Sequence, residues 1–463
     1  MRFTQYYLEC LSQASYLIGD ETSGLAVVVD PRRDVAEYLE DAAGAGLRIA
    51  YVVETHFHAD FLSGHLDLAA ATGAEIVYGA AADARFPHRK VRDGERISLG
   101  DVILEFRETP GHTPESISVV VWERPGDPAP YGVLTGDTLF IGDVGRPDLL
   151  ASQGVTAGDL ARRLYRSLHE RLMVLPDATR VFPAHGAGSA CGKNLSTETS
   201  STIGQQRLTN YAVQPMGEED FVRVLTGHQS AAPGYFSYDA GLNREPHSLL
   251  DLSPPPPLDL PAVTAARDGG AVVLDTRSPE DFARVHLRGS LNVGLDGRFA
   301  EYAGSVIPPD RDIVLVSGRS QSPEAKTRLG RIGFDRVVGA LEGVELALAA
   351  APGEAAAASR LTAPALAERM AAVAGLCVLD VRNQGERAQG AIPGSVHVPL
   401  AAVRRSLGEL DLAGPIVVHC AGGYRSSIAA SLLRSAGGTD VSDLTGGFEA
   451  WRALGLPEAV APP

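Results

Sequence analysis

Four segments in the N-terminal half carry side chains that could hold a metal ion. The densest, ETHFHADF (54–61), puts His56, His58 and Asp60 directly after the apolar run IAYVV. TPGHTPES supplies His112, LTGDTLF supplies Asp137 and VFPAHGAGS supplies His185, each behind another apolar run. Imidazole nitrogen and carboxylate oxygen together suit zinc, iron(II) or manganese. A single loop histidine is more often structural than ligating, but four such segments at strand ends reverse that expectation. Phe61, next after Asp60, offers no ligand atom.

A second chemistry lies near the C-terminus. IVVHCAGGYRSS places Cys420 between a buried-looking strand and the helical pattern SSIAASLLRSAGG. At such a turn, amide N–H groups and the positive end of a helix stabilise thiolate and persulfide anions. The loop continues through Ala421, Gly422, Gly423, Tyr424, Arg425 and Ser426, and Arg425 adds a cation. The four cysteines, Cys10, Cys191, Cys377 and Cys420, are scattered, with no CxxC and no zinc signature, which fits a reducing cytosol. A net charge of −16 lacks the basic footprint of a nucleic-acid or anionic-membrane partner. The N-terminal stretch MRFTQYYLECLSQASYLIGDE has no sustained apolar core, so a cytoplasmic chain without signal peptide or membrane span is expected.

These groups need elements to position them. In the N-terminal half, ASYLIGD, GLAVVVDP, IAYVVET, AEIVYG, VILEFRETP, SISVVVWE and YGVLTGD are strand-like, and DVAEYLEDAAGAG is helical. Many strands with helices outside them predict a layered αββα arrangement. The run EPHSLLDLSPPPPLDLPA (245–262) suits a stiff connector, and the alanine-rich 349–362 is a second boundary. Around the latter lies an internal repeat: AVVLDTRSPEDFARVHLRGSLNV aligns with CVLDVRNQGERAQGAIPGSVHV, and IVLVSGRSQSP with IVVHCAGGYRSS. Each copy alternates β-branched runs with helical patterns, which predicts a parallel sheet flanked by helices.

THFHAD, TPGHT, TGD and PAHG together resemble the metallo-β-lactamase fold, and within it the glyoxalase II and persulfide dioxygenase branches. The loop CAGGYRS, with LDVRNQGERAQGAIPGSVHVPL and DLTGGFEAW, resembles the rhodanese family. The resemblance implies an α/β multidomain chain: a metallo-β-lactamase αββα sandwich over 1–247, a degenerate rhodanese domain over 258–350 and an active one over 360–463. Two-metal hydrolases of the glyoxalase II kind use a histidine where this chain has Phe61, so their second site loses a ligand. The persulfide dioxygenase pattern instead implies one iron(II) per chain on His56, His112 and Asp137, with zinc or manganese able to substitute. His58, Asp60 and His185 are then expected around those ligands, orienting them or bonding substrate. Arg146 and Asp148 of GRPD match the segment that follows TGD in that branch, and Cys191, six residues beyond His185, falls near the site. Lys193 and Arg207 are the nearby cations for an anionic thiol.

In rhodaneses the loop cysteine carries a sulfane sulfur, a role that falls here to Cys420. Asp380, Arg382, Glu386 and His397 match the scaffold of that family. The middle copy has Ser317 where alignment puts Cys420, and a hydroxyl cannot hold a transferable sulfur; its Arg319 remains a candidate for binding an anion. The domain order resembles bacterial persulfide dioxygenase–rhodanese fusions. It implies oxidation of a low-molecular-weight thiol persulfide by O₂ to sulfite and thiol, with sulfur transfer through Cys420 to or from sulfite/thiosulfate in sulfide detoxification, by a homo-oligomer. Two other readings stay open: a metal-dependent thioester hydrolase fused to a sulfurtransferase, and a non-enzymatic sulfur carrier. Glutathione, coenzyme A, bacillithiol and mycothiol all remain as the thiol.

Overall fold

The valine-rich runs of the N-terminal half are buried on both faces, and alternation decides which residue goes where. In strand Leu25–Val29, Val27 and Val29 point into one core while Ala26 and Val28 point into another. Strand Ile117–Trp122 divides in the same way, with Val119 and Val121 inward and Val120 outward. The inner core is the contact between two six-stranded sheets, and it includes Val53, Val77, Leu104, Phe106, Leu134 and Phe182. The outer cores lie under helices: Ala36–Gly44 covers the first sheet, and Ala157–Arg166 with Glu218–Thr226 cover the second. The result is the αββα sandwich that the sequence predicts.

The computed structural model describes residues 1–149, 155–192, 195–227 and 231–459. They divide into two units, 1–229 with 236–250, and 230–235 with 251–463. Among the described residues no helix is long and apolar enough to cross a membrane.

The second unit holds two parallel sheets. The four-stranded sheet runs in the order Leu291–Asn292, Val272–Asp275, Ile313–Ser317, Val337–Glu342. The five-stranded one runs Ser359–Leu361, Val441–Leu444, Ile416–His419, Cys377–Asp380, Val396–His397. The internal repeat is therefore structural. In each copy the arginine of LDxR folds back on its own aspartate, with Arg277 bidentate to Asp275 and Arg382 bidentate to Asp380.

Two stretches do more than connect. Past the proline run, the Leu258 amide donates to the Ala340 carbonyl and the Ala340 amide to the Pro256 carbonyl, so the run lies along the edge strand of the four-stranded sheet. The alanine-rich stretch forms Ala355–Ala356, paired with His286–Leu287, and then Ser359–Leu361, the edge of the five-stranded sheet. Composition signals a break at both places; the free backbone groups of two sheet edges give the chain something to pair with.

Candidate functional site

Four strands of the sandwich, Arg48–Val53, Ile103–Glu108, Gly132–Gly136 and Arg180–Pro183, deliver His56, His112, Asp137 and His185 to one place just past their ends. One nitrogen each of His56 and His112 and one oxygen of Asp137 lie within 4.8 Å of one another, and all three residues are buried. The Asp137 Oδ2 is 3.8 Å from His56 Nε2 and 3.4 Å from His112 Nε2.

The hydrogen bonds behind these atoms determine which nitrogens are free. The Thr55 hydroxyl donates to Asp30 Oδ2 (2.9 Å), so toward His56 it can only accept, and His56 Nδ1–H donates to it at 2.9 Å. His112 Nδ1–H donates to the Arg146 carbonyl at 2.9 Å. Both rings are thereby held as the tautomer whose Nε2 bears a lone pair. Asp137 Oδ1 accepts from His185 Nδ1 (2.7 Å), while its Oδ2 is buried without a hydrogen-bond partner. Three unfilled donor atoms converge from three rigid strand ends, which fits a cation with two imidazoles and a carboxylate on one side. Burial is the largest influence keeping both His56 and His112 neutral, as ligands must be. Asp137 is held well below the ordinary carboxylate range: burial opposes its charge, and the three histidines outweigh burial.

His58 sits apart from that trio in its bonding. Its Nε2 lies 3.2 Å from Asp30 and 3.5 Å from Glu54, and these two carboxylates overcome burial to push it up to about 10. With Asp60 and His185 it also forms a second buried group whose ligand atoms lie within 4.8 Å of one another. His185 bridges Asp137 and Asp60 (2.7 and 2.8 Å), and those two carboxylates likewise overcome burial to keep it charged. Phe61 is buried with its ring 4.4 Å from that of His58.

GRPD works through its backbone. The Arg146 guanidinium is bidentate to Asp148 (2.8 and 2.7 Å), whereas the Arg146 carbonyl orients His112 and its amide donates to the Cys191 carbonyl. A side chain at Gly145 would collide with the Asp137 carbonyl and lie 2.9 Å from His112 Nδ1, so only glycine lets the loop come this close. Cys191 is buried beside Asp137 and His185, and burial first, then Asp60 and Asp137, push its thiol well up. Arg207 is engaged by Asp177 and by the Met173 and Leu175 carbonyls. Lys193 lies outside the described residues.

Several supports escape a reading of motifs. Asn243, past the end of helix Phe236–Leu242, donates to the carbonyls of His58 and Phe61 and accepts from the Ser63 amide, three bonds that shape the histidine turn. Glu115 accepts from the Phe57 amide (3.0 Å). The isolated acid in TPGHTPES and the lone asparagine of GLNREP are the only traces these supports leave in the sequence.

In the second unit, Cys420 follows strand Ile416–His419 and precedes helix Tyr424–Ser435. Its Sγ accepts from the Gly423 amide at 3.1 Å, and Gly423 takes the left-handed φ of +103°. The loop carbonyls point the other way: Phe448 and Glu449 amides donate to the carbonyls of Cys420 and Ala421. The Gly423 amide faces the sulfur while DLTGGFEAW holds the Cys420 and Ala421 carbonyls behind. Arg425 is bidentate to Glu386 (2.7 and 2.6 Å), so its charge is neutralised by a salt bridge rather than left open to the sulfur. Ser426 lies 3.6 Å from the sulfur. His397 bonds the Arg382 carbonyl.

Fold and centre together define a metallo-β-lactamase-type metal domain joined to a tandem pair of rhodanese-like modules. Residues 8–185 match the model of the metallo-beta-lactamase superfamily, and 262–344 and 362–454 match that of the rhodanese-like domain. The chain is 33% identical over 215 residues to the mitochondrial persulfide dioxygenase ETHE1 of Bos taurus, an alignment covering 46% of this chain and 75% of that protein. It is 39% identical over 173 residues to a hydroxyacylglutathione hydrolase of Methylococcus capsulatus, covering 37% and 60% respectively. The crystal structure of a metallo-beta-lactamase from Staphylococcus aureus matches with a TM-score of 0.67 at 33% identity, over 74% of this chain and 98% of that one. The chain belongs to the metallo-beta-lactamase superfamily, in the branch of the persulfide dioxygenase ETHE1, with two rhodanese-like domains following.

Proposed function

We propose that the chain couples two sulfur reactions: oxidation of a low-molecular-weight thiol persulfide by O₂, and transfer of sulfane sulfur through Cys420. The observation that carries the first is the trio His56, His112 and Asp137, with both Nδ1 atoms tied back and one carboxylate oxygen unfilled, beside a Phe61 that cannot ligate. Phe61 takes away a ligand that a second metal beside His58, Asp60 and His185 would use, which supports one metal rather than two. Iron(II) held there would supply open positions at which O₂ and a persulfide sulfur meet. The overall balance is RSSH, O₂ and water giving RSH, sulfite and two protons. Thr55 and the Arg146 carbonyl keep the two rings aimed, and His185, charged between Asp137 and Asp60, orients the carboxylate.

In the second reaction the Cys420 thiolate attacks the outer sulfur of a persulfide. The RS–SH bond breaks, RS⁻ leaves with the electron pair, and the Cys420 persulfide remains. Sulfite then takes that sulfur as thiosulfate and returns the thiolate, and the reverse sequence uses the same groups. The Gly423 amide at the sulfur supports an anion there. The domain limits 1–247, 258–350 and 360–463, an Fe(II) stoichiometry of one, and a cytoplasmic homo-oligomer belong to this proposal.

The test is oxygen uptake by iron(II)-loaded protein with a panel of thiol persulfides, following sulfite and thiosulfate in the same samples. Uptake lost in His112→Ala, and thiosulfate replaced by sulfite in Cys420→Ser, is the expected result. No uptake with any persulfide at full iron occupancy would return the sandwich to thioester hydrolysis, the reading that its 39% identity to a hydroxyacylglutathione hydrolase supports.

A further inference from the structure

The degenerate module has lost its cysteine but not its cradle. A cavity of about 1090 Å³ opens where the Ser317 loop would have served a reaction, and its far wall is the live module's Gly422, Gly423 and Tyr424. The Tyr424 hydroxyl donates to the Gly294 and Asp296 carbonyls, so the Cys420 loop and the degenerate module share this wall. A volume of this size holds a small organic molecule and far exceeds what sulfite or thiosulfate fills.

Its charges are sorted in an uneven way. Arg277 pairs with Asp275 and Glu345, Arg360 with Asp443 and Glu280, Asp281 with Arg284, and Glu342 accepts from the Ser320 amide and the Ser322 hydroxyl. Among the described residues, two lining side chains have no such partner: the Arg319 guanidinium and the Asp296 carboxylate, both exposed to the cavity. The Ser317 hydroxyl, also in the wall, is buried and has no hydrogen-bond partner. One free cation, one free anion and an unfilled hydroxyl complement a ligand that carries a carboxylate and an ammonium.

We propose that this cavity binds the organic part of the thiol that exchanges sulfur with Cys420, and that this thiol is zwitterionic, of the amino-acid or small-peptide class. The ligand carboxylate takes Arg319 and Ser317, its ammonium takes Asp296, and its sulfur reaches the Gly422–Gly423 wall. The degenerate module is then the specificity half of the sulfurtransferase. The proposal rests on the reading of Cys420 as the sulfur carrier. In the transfer step the Cys420 thiolate bonds to the outer sulfur of RS–SH and RS⁻ departs with the electrons, the zwitterionic R remaining in the cavity until it leaves.

The test uses the full chain. Calorimetry of Cys420→Ser with S-methylglutathione and S-methylcysteine should show binding by at least one of them, weakened about tenfold by Arg319→Met and by Asp296→Asn. Coenzyme A, anionic through phosphates and without a free ammonium, should bind more weakly than either. In turnover, the preference for glutathione persulfide over thiosulfate, as a ratio of kcat/KM, should fall about tenfold in Arg319→Met. Arg319 is exposed and outside any ion pair, so the variant should fold. Absence of binding by both S-methyl probes, an undiminished preference in Arg319→Met, or coenzyme A binding tighter than both probes would overturn the assignment. Binding that depends on Arg319 and Asp296 in a chain that transfers no sulfur would keep the cavity and remove only the Cys420 reading.

Discussion

Thr55 carries a sharp test of the metal centre because it touches no metal. Its hydroxyl stands between Asp30 and His56, donating to one and accepting from the other at 2.9 Å each. Thr55→Val keeps the shape and removes only that oxygen. The His56 ring is 1% exposed, so its Nδ1–H would then face no acceptor and no water. An unpaired buried donor costs about 1–3 kcal/mol. The ring can recover part of this by turning, which carries Nε2 away from Asp137 and His112. At about 1.4 kcal/mol per tenfold, metal affinity should fall about 10- to 100-fold, the usual effect of losing a residue that orients a ligand.

The assay is competition for cobalt(II) between the protein and a coloured chelator, for wild type, Thr55→Val and Thr55→Ser. Serine retains the hydroxyl and should restore most of the affinity. If Thr55→Val binds cobalt as tightly as wild type, the chain from Asp30 through Thr55 does not hold His56, and the tautomer argument fails. If Thr55→Ser is as weak as Thr55→Val, the hydroxyl alone does not hold His56, and the methyl packing of Thr55 is needed as well.

Three further outcomes follow from the same geometry. Phe61→His puts an imidazole beside His58 and His185, which with Asp60 form a buried ligand group; elemental analysis should rise from one metal per chain toward two, and a value that stays at one would show that Phe61 is not what limits the site. Gly145→Ala forces its methyl against the Asp137 carbonyl and His112, so dialysed protein should lose most of its metal while Trp122 fluorescence still reports a folded sandwich; full metal content would contradict the close approach. Burial holds His419 at about 4, against 6.5 unfolded. Between those values the unfolded chain binds the extra proton, so this contribution is complete above pH 6.5 and lost as pH falls to about 4, roughly 3 kcal/mol in all. Urea unfolding followed by the buried Trp451 in a Trp122→Phe background should show that loss, and His419→Asn should flatten it; equal pH slopes would refute it.

How far the centre could be foreseen depended on how local each piece is. His56, His112, Asp137 and His185 each sit just past an apolar strand, and strand alternation leaves few other places for a polar residue to emerge beside the core. What tunes them comes from far along the chain: Asp30 reaches Thr55 across 25 residues, Glu115 reaches Phe57 across 58, and Asn243 reaches Ser63 across 180. No short pattern encodes such pairings. Arg425 shows the same limit from the other side. Its position in the loop reads as a cation offered to sulfur, and only the fold reveals Glu386, 39 residues earlier, taking that charge.

The two rhodanese-like copies bear on what degeneration removed. Their frames are alike down to the arginine folded onto the aspartate of LDxR, so the middle copy keeps the packing of the live one. Its loop is where it departs: Ser317 replaces the sulfur carrier, Ser320 takes a left-handed φ of +62° with its amide tied to Glu342, and Pro323 opens the next helix. A loop with no remaining task would be expected to relax such a conformation, because a non-glycine residue there costs about 1–3 kcal/mol. Here the strained turn directly follows Gly318 and Arg319, which line the same cavity as Gly422, Gly423 and Tyr424 of the live loop. Strain kept where chemistry has been lost is better explained by binding than by decay, and it makes Ser320→Gly the discriminating change: it should stabilise the fold while loosening the cavity's grip on a zwitterionic thiol.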